Sequence, residues 1–208
     1  MIYWPLKELS KKFESKNIIV STDDNKIIST VEKIGLKVPF VRPKELSDEI
    51  TGTVPVASHA LNWYENNVKK IDYVLIVYPT ALMLDIKDIV KSIKILKSDH
   101  DCELVMSATS FPSPIQRGIF LNKNGFAKMF YPKFYKTRSQ DLKPSYHDAG
   151  QFYLWKSKSL RDKKTLVNSK TRLFLINRNF VIDIDTLEDL KVAETKLKLL
   201  KRNKFNKN

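Results

Sequence analysis

Apolar residues at Trp4, Leu6, Leu9 and Phe13 recur at helical spacing, and the next apolar group, Ile18-Ile19-Val20-Ser21, runs unbroken. The first pattern predicts a helix and the second a buried strand. Thr22-Asp23-Asp24 then offers capping side chains to a helix over residues 26–34, which Gly35 ends. Val38-Pro39-Phe40-Val41 predicts a short edge strand, because proline has no amide hydrogen for a central ladder. An amphipathic helix over 53–65 follows. Tyr73-Val74-Leu75-Ile76-Val77-Tyr78 reads as a fully buried strand stopped by Pro79, before a helix over 85–97 and a strand over 104–109. Residues 110–146 break the rhythm with Pro112, Pro114, Pro132, Pro144 and many aromatics. They predict an inserted arm of hairpins and loops, serving as a substrate lid, a subunit contact or a plain connection. Strands over 151–155 and 172–176 and a helix over 187–200 close the pattern. The alternation predicts an α/β fold, with a mostly parallel sheet and helices on both faces. It forms one domain over residues 1–200 with 110–146 as its arm.

Composition narrows the class. The 208 residues and 42% hydrophobic content suit one folded domain with a sizeable core. No apolar run approaches the ~20 residues of a membrane span, and no signal core opens the chain. The expectation is a cytoplasmic protein with no membrane partner. One cysteine, Cys102, excludes an internal disulfide, and three scattered histidines make a structural zinc site a poor fit. A metal ion would therefore fall to carboxylates. The formal net charge of +14 favours an anionic partner such as a nucleotide, although its lysines are spread over the chain and its end. Residues 201–208 read as a basic flexible tail. No nucleic-acid module is recognisable, so no nucleic-acid partner is expected.

The densest chemistry lies in Val181-Ile182-Asp183-Ile184-Asp185-Thr186. On an extended segment, residues i and i+2 share a face, so Asp183 and Asp185 can aim oxygens at one point while Ile182 and Ile184 face the core. Hard oxygen ligands suit Mg2+, or Mn2+. The same residues also suit a plainer role, in which Asp185 or Thr186 caps the following helix.

Val20-Ser21-Thr22-Asp23-Asp24, Arg42-Pro43-Lys44-Glu45-Leu46, Tyr78-Pro79-Thr80, Asp148-Ala149-Gly150-Gln151-Phe152-Tyr153 and Asp183-Ile184-Asp185-Thr186 together resemble the acylneuraminate cytidylyltransferase family. Ser110-Phe111-Pro112-Ser113-Pro114-Ile115-Gln116-Arg117, Arg138-Ser139-Gln140-Asp141-Leu142 and Tyr146-His147 look most like its branch acting on pseudaminic acid. The resemblance implies a Rossmann-like nucleotide-diphospho-sugar transferase fold. It also implies transfer of CMP from CTP to an acidic nine-carbon sugar, most like pseudaminic acid, for cell-surface glycan or flagellin glycosylation. Legionaminic or N-acetylneuraminic acid as substrate, or a non-catalytic nucleotide-binding remnant, are the alternatives.

By the same resemblance Asp183 and Asp185 match the family's metal ligands and carry catalysis, Arg42 matches a nucleotide contact, and Thr53 lies near the cytosine. Asp23 and Asp24 are weaker candidates, as helix caps beside the site. For the sugar, Tyr78, Gln116, Arg117, Arg138, Gln140, His147, Gln151 and Tyr153 form the pool; Tyr78 stands where the sialic acid enzymes tend to carry glutamine. A homodimer through the arm is expected. Family members begin with a strand and a basic Ala-Arg-Gly-Gly-Ser-Lys loop around the triphosphate. The opening Met1-Ile2-Tyr3-Trp4-Pro5-Leu6 resembles the sequence after that loop, so the resemblance implies an N-terminally truncated chain.

Overall fold

The computed structural model describes residues 1–162 and 166–205, with the backbone alone for 200–205. Four strands make the main sheet, in the order β1 (Tyr73–Val77), β5 (Tyr146–Lys156), β2 (Leu104–Ser110), β6 (Thr171–Leu175). β5 runs antiparallel to β1 and to β2, and β2 runs parallel to β6. Three of the four strands thus point the same way, with β5 reversed between two of them.

Strand alternation divides the core in two. On one face Leu75, Val77, Phe152 and Phe174 meet α1 (Tyr3–Leu9), α2 (Asn25–Lys33) and α4 (Ile86–Ser98) through Leu6, Leu9, Val31 and Ile89. On the other, Val74, Ile76, Met106, Tyr153 and Trp155 meet α3 (Thr53–Asn67) and α5 (Ser157–Asp162) through Ala57, Leu61 and Leu160. Helices therefore cover both faces. Caps lie where the side chains allow: Asp24 accepts from the amides of Lys26 and Ile27, and Asp85 from that of Lys87. Gly35, at φ +80°, takes the left-handed turn that ends α2.

Two predicted strands join no ladder. Residues 18–21 and 38–41 are outside the sheet, although Ile18 and Val20 are buried beside α1 and α2 and Arg42 donates its amide to the Thr22 carbonyl at 2.9 Å. An apolar run reports burial and does not specify a neighbouring strand. The segment before Asp183 is likewise no ladder strand. After Ile176 the chain leaves the sheet at Asn177, whose side chain accepts from the Asn179 amide, and turns once through Arg178–Phe180. Residues 181–184 then run outside any ladder, with Val181 extended at φ −118°, ψ 129°.

The arm holds a hairpin of β3 (Ile119–Leu121) and β4 (Ala127–Met129), closed by Gly125 at φ +78°. α6 (Leu187–Phe205) continues past the expected end at residue 200 into the segment read as a tail, and residues 206–208 lie outside the described residues.

Candidate active site

β1, β2 and β6 all end at one edge of the sheet, where β5 begins, and the chemistry-bearing side chains gather there. Open α/β sheets bind ligands at the carboxyl ends of their strands. A bulge in β5 shapes this edge. Met106 pairs with Tyr153 and Ala108 with Asp148, so Ser107 alone opposes residues 149–152. Gly150 bends the extra chain at φ +59°, and the Ser107 hydroxyl accepts from the amides of Gln151 and Phe152 at 3.3 and 3.0 Å. The bulge lets Asp148 reach back along its own strand: Oδ1 accepts from the Gly150 amide at 2.8 Å, and Oδ2 from the Tyr153 hydroxyl at 2.6 Å.

Thr53, Tyr78 and Tyr153, three of the residues singled out in the sequence, come together here. The hydroxyls of Thr53 and Tyr78 are hydrogen-bonded, and the Tyr78 and Tyr153 rings lie 5.3 Å apart. Burial pushes the Tyr153 phenol far up, and the neighbouring Asp148 carboxylate adds to the shift. Gln151 is an internal tie. It is buried, its Nε2 donates to the Phe180 carbonyl at 2.7 Å, and its own carbonyl accepts from the Tyr78 amide at 3.0 Å. It thereby fastens the segment leading to Asp183 onto β5.

Beyond that tie, Ile182 and Ile184 pack into an apolar seam with Thr80, Leu82, Met83 and Ala193, while Asp183 and Asp185 are exposed. Period-two alternation persists without a ladder. Among the described residues neither carboxylate takes part in a hydrogen bond or an ion pair. Capping of α6 falls instead to Thr186 and Asp189. The Thr186 hydroxyl accepts from the Asp189 amide at 3.2 Å, and Asp189 Oδ2 accepts from the Thr186 amide and hydroxyl at 2.9 and 2.7 Å. This exchange leaves the aspartates of the pair uncommitted.

Hydrogen bonds from Thr186 hold the Asp189 carboxyl below its ordinary 3.8. A carboxyl lowered in the folded state adds stability above its unfolded value and loses it as pH falls through the lower folded one. Acidification below about 3.8 should therefore loosen the start of α6, with the change centred beneath that value. The Asp189 carboxyl resonance, followed by NMR, should titrate low in the native chain and return toward 3.8 in Thr186→Val.

The remaining candidates are spread out. Arg42 donates Nε to Ser47 Oγ and Nη2 to Asp23 Oδ1, both at 3.0 Å, and so stiffens the loop between the Thr22 region and α3. Arm residues are tied to the arm itself: Gln116 to the Lys143 carbonyl at 2.9 Å, Arg117 to the Thr137 carbonyl, and Arg138 to Asp141 through Nε at 2.7 Å. Gln140 is exposed. His147 Nδ1 lies 2.8 Å from the Asp148 carbonyl, and its ring packs on Phe111 at 4.8 Å. Asp148 and Ser107 were not singled out from the sequence. Asp148-Ala149-Gly150 carries a turn signal, but Ser107 sits on another strand and has no local one.

Among the described residues no group of three or more His, Cys, Asp or Glu side chains is placed so that it could hold a metal ion. Two exposed carboxylates on one extended segment, without hydrogen-bond partners among the described residues, still fit Mg2+, which commonly takes one or two carboxylates and completes its shell with water and substrate phosphate. The sheet with helices on both faces is a Rossmann-like α/β fold, one that solved nucleotidyltransferase structures share. The solved structure of CMP:2-keto-3-deoxy-manno-octonic acid synthetase complexed with CTP superposes with a TM-score of 0.58 at 13% identity, covering 88% of this chain and 80% of that one. Pseudaminic acid cytidylyltransferase of Campylobacter jejuni is 37% identical over 188 residues, 90% of this chain and 81% of that protein. The chain belongs to the acylneuraminate cytidylyltransferase family, on its pseudaminic acid cytidylyltransferase branch. The CMP-N,N'-diacetyllegionaminic acid synthase of the same organism is 25% identical over 180 residues. No family model matches the chain.

Proposed function

We propose that this chain transfers CMP from CTP to pseudaminic acid. Similarity over nine-tenths of the chain to an enzyme of that name carries the reading. The anomeric oxygen of the sugar attacks the α-phosphorus of CTP; the new O–P bond forms as the bond to the β-phosphate bridging oxygen breaks, and diphosphate leaves. The protein's contribution is alignment and relief of accumulating negative charge.

Asp183 and Asp185 would hold Mg2+, which when bound supplies Lewis-acid polarisation of the α-phosphate. Their exposure near the ligand edge, with no hydrogen bond or ion pair among the described residues, supports the assignment. Arg42 and Thr53 would contact the nucleotide, Arg42 with guanidinium hydrogens beyond those given to Ser47 and Asp23. Around the sugar, Tyr78, Gln140 and His147 offer polar edges. Arg138, paired with Asp141 at the surface, and Arg117 would answer its carboxylate. Gln116, Gln151 and Tyr153 act from behind, holding the arm and the strand edge. The single domain works in the cytoplasm, where CTP is made. No helix among the described residues is long and apolar enough to cross a membrane.

A homodimer would form through the arm. Ile119, Leu121, Phe126, Phe130 and Tyr135 are exposed on it, Leu121 by 72%, and clustered exposed apolar side chains commonly mark contacts.

The test is diphosphate release from CTP and Mg2+ with a panel of pseudaminic, legionaminic and N-acetylneuraminic acids. The proposal expects turnover with pseudaminic acid at least ~10-fold above the others in kcat/KM, the discrimination that a few misplaced polar contacts produce. Turnover led by another acid moves the substrate, and no turnover with any rejects the reading.

A further inference from the structure

Between Ile176, just past β6, and the cap of α6 the chain pairs with no strand, yet Asp183 and Asp185 stand on it. Nothing in a ladder fixes where they fall. Phe180, Ile182 and Ile184 repeat at a spacing of two and line one seam with Thr80, Leu82, Met83 and Ala193. Such contacts choose a face and have no direction of their own. A slip by two residues would set Ile182 in the place of Ile184, with Phe180 following, and would carry Asp183 to the place of Asp185.

A directional contact is needed to fix the register. Among the described residues one hydrogen bond ties residues 177–185 back to the sheet: Gln151 Nε2 donates to the Phe180 carbonyl at 2.7 Å. Gln151 is itself held from two sides. Its amide donates to Ser107 Oγ on β2 at 3.3 Å, and its carbonyl accepts from the Tyr78 amide, just past β1, at 3.0 Å. The residue is 4% exposed, so its side chain has little room to turn elsewhere. The ends of β1 and β2 and the acidic segment therefore meet at one glutamine of β5.

We propose that Gln151 is a positioning residue for the cation site: its side-chain amide sets the register of residues 181–185, and so the place of the Asp183 and Asp185 carboxylates, without touching the ion. The inference rests on the reading of those aspartates as Mg2+ ligands. It replaces contact with the sugar as the role of this side chain. Groups that orient metal ligands change affinity by about 10- to 100-fold when they are removed.

Gln151→Met keeps the length of the side chain and both main-chain bonds, and removes the donor. Phe180 is exposed, so water can reach its carbonyl and the variant should fold. Gln151→Asn keeps the amide but holds it one carbon short. Mn2+ binding is read by electron paramagnetic resonance on the native chain, both variants and Asp183→Asn, each below its melting temperature and without nucleotide or sugar. Asp183→Asn should weaken binding most, and each Gln151 variant should raise the Kd at least about tenfold. Raised Mg2+ should also restore diphosphate release in Gln151→Met. A merely structural role would lower the melting temperature and leave the Mn2+ Kd in place, and contact with the sugar would raise the KM for the sugar alone. A Kd within about twofold of the native value in both Gln151 variants overturns this inference and leaves the metal reading intact. A native chain that binds no Mn2+, or binds it as well after Asp183→Asn, overturns both.

Discussion

Asp183→Asn should lower turnover by roughly a thousandfold, about 4 kcal/mol of transition-state stabilisation, because a carboxylate that holds a phosphate-bound cation acts where charge develops. The carbonyl oxygen of asparagine is a poorer ligand and carries no charge. Stability should change by less than about 0.5 kcal/mol, since the side chain is exposed and forms no internal hydrogen bond among the described residues. Asp185→Asn should behave alike, whereas Asp189→Asn, which touches the α6 cap, should loosen the helix start and spare catalysis more. Steady-state diphosphate release with thermal melting on the same samples separates the effects. Full activity in Asp183→Asn would remove the metal assignment.

Ser107→Ala should cost about 2 to 4 kcal/mol of folding free energy, the penalty for leaving two buried amides without an acceptor. Ser107 is fully buried, and its hydroxyl is the acceptor for the Gln151 and Phe152 amides across the bulge. Loss of methyl-scale packing would account for well under half of that amount, because alanine differs from serine by one oxygen. The bulge should also relax, drawing Asp148 away from Tyr153 and Gln151 away from the Phe180 carbonyl. Activity should then fall through kcat as the segment bearing Asp183 loses its tie. Denaturant unfolding measures the first effect; a destabilisation under about 0.5 kcal/mol would mean that the amides find water instead.

Much of this architecture is legible in the sequence, and the gaps have physical causes. The unbroken apolar runs of 73–77 and 152–155 imply strands covered on both faces, because neighbouring side chains point oppositely. Residues 151–155 are buried throughout, whereas β1 lies at the sheet edge and is only half-buried, with Tyr73 exposed rather than fully buried as its run implies. Asp24 and Gly35 announce the ends of α2 through capping and a left-handed turn, both local properties. Partnership is not local. Ile18 and Val20 are buried as their pattern implies, yet no ladder includes them, and the extended course of 181–184 keeps its alternation outside the sheet. Burial follows composition, whereas pairing depends on which backbone arrives alongside.

The candidate site shows the same division. Asp183 and Asp185 stand out because two carboxylates between isoleucines share one face. Gln151 and Tyr153 also stand out, as candidates to contact the sugar; only the fold reveals that each hydrogen-bonds inward, to Phe180 and to Asp148. Capping of α6 by Thr186 was one of two readings open in the sequence. The exchange of hydrogen bonds with Asp189 decides it, and among the described residues neither metal candidate is engaged in it.

The central claim is that one acidic couple on the ligand edge grips the cation of a nucleoside triphosphate. A crystal of the chain grown with CTP and Mn2+ tests it through the anomalous signal of manganese. The account predicts one peak within about 2.5 Å of carboxylate oxygens of Asp183 and Asp185 and in contact with phosphate oxygen. A CTP-bound crystal whose manganese lies elsewhere, with both carboxylates turned to solvent, would contradict it.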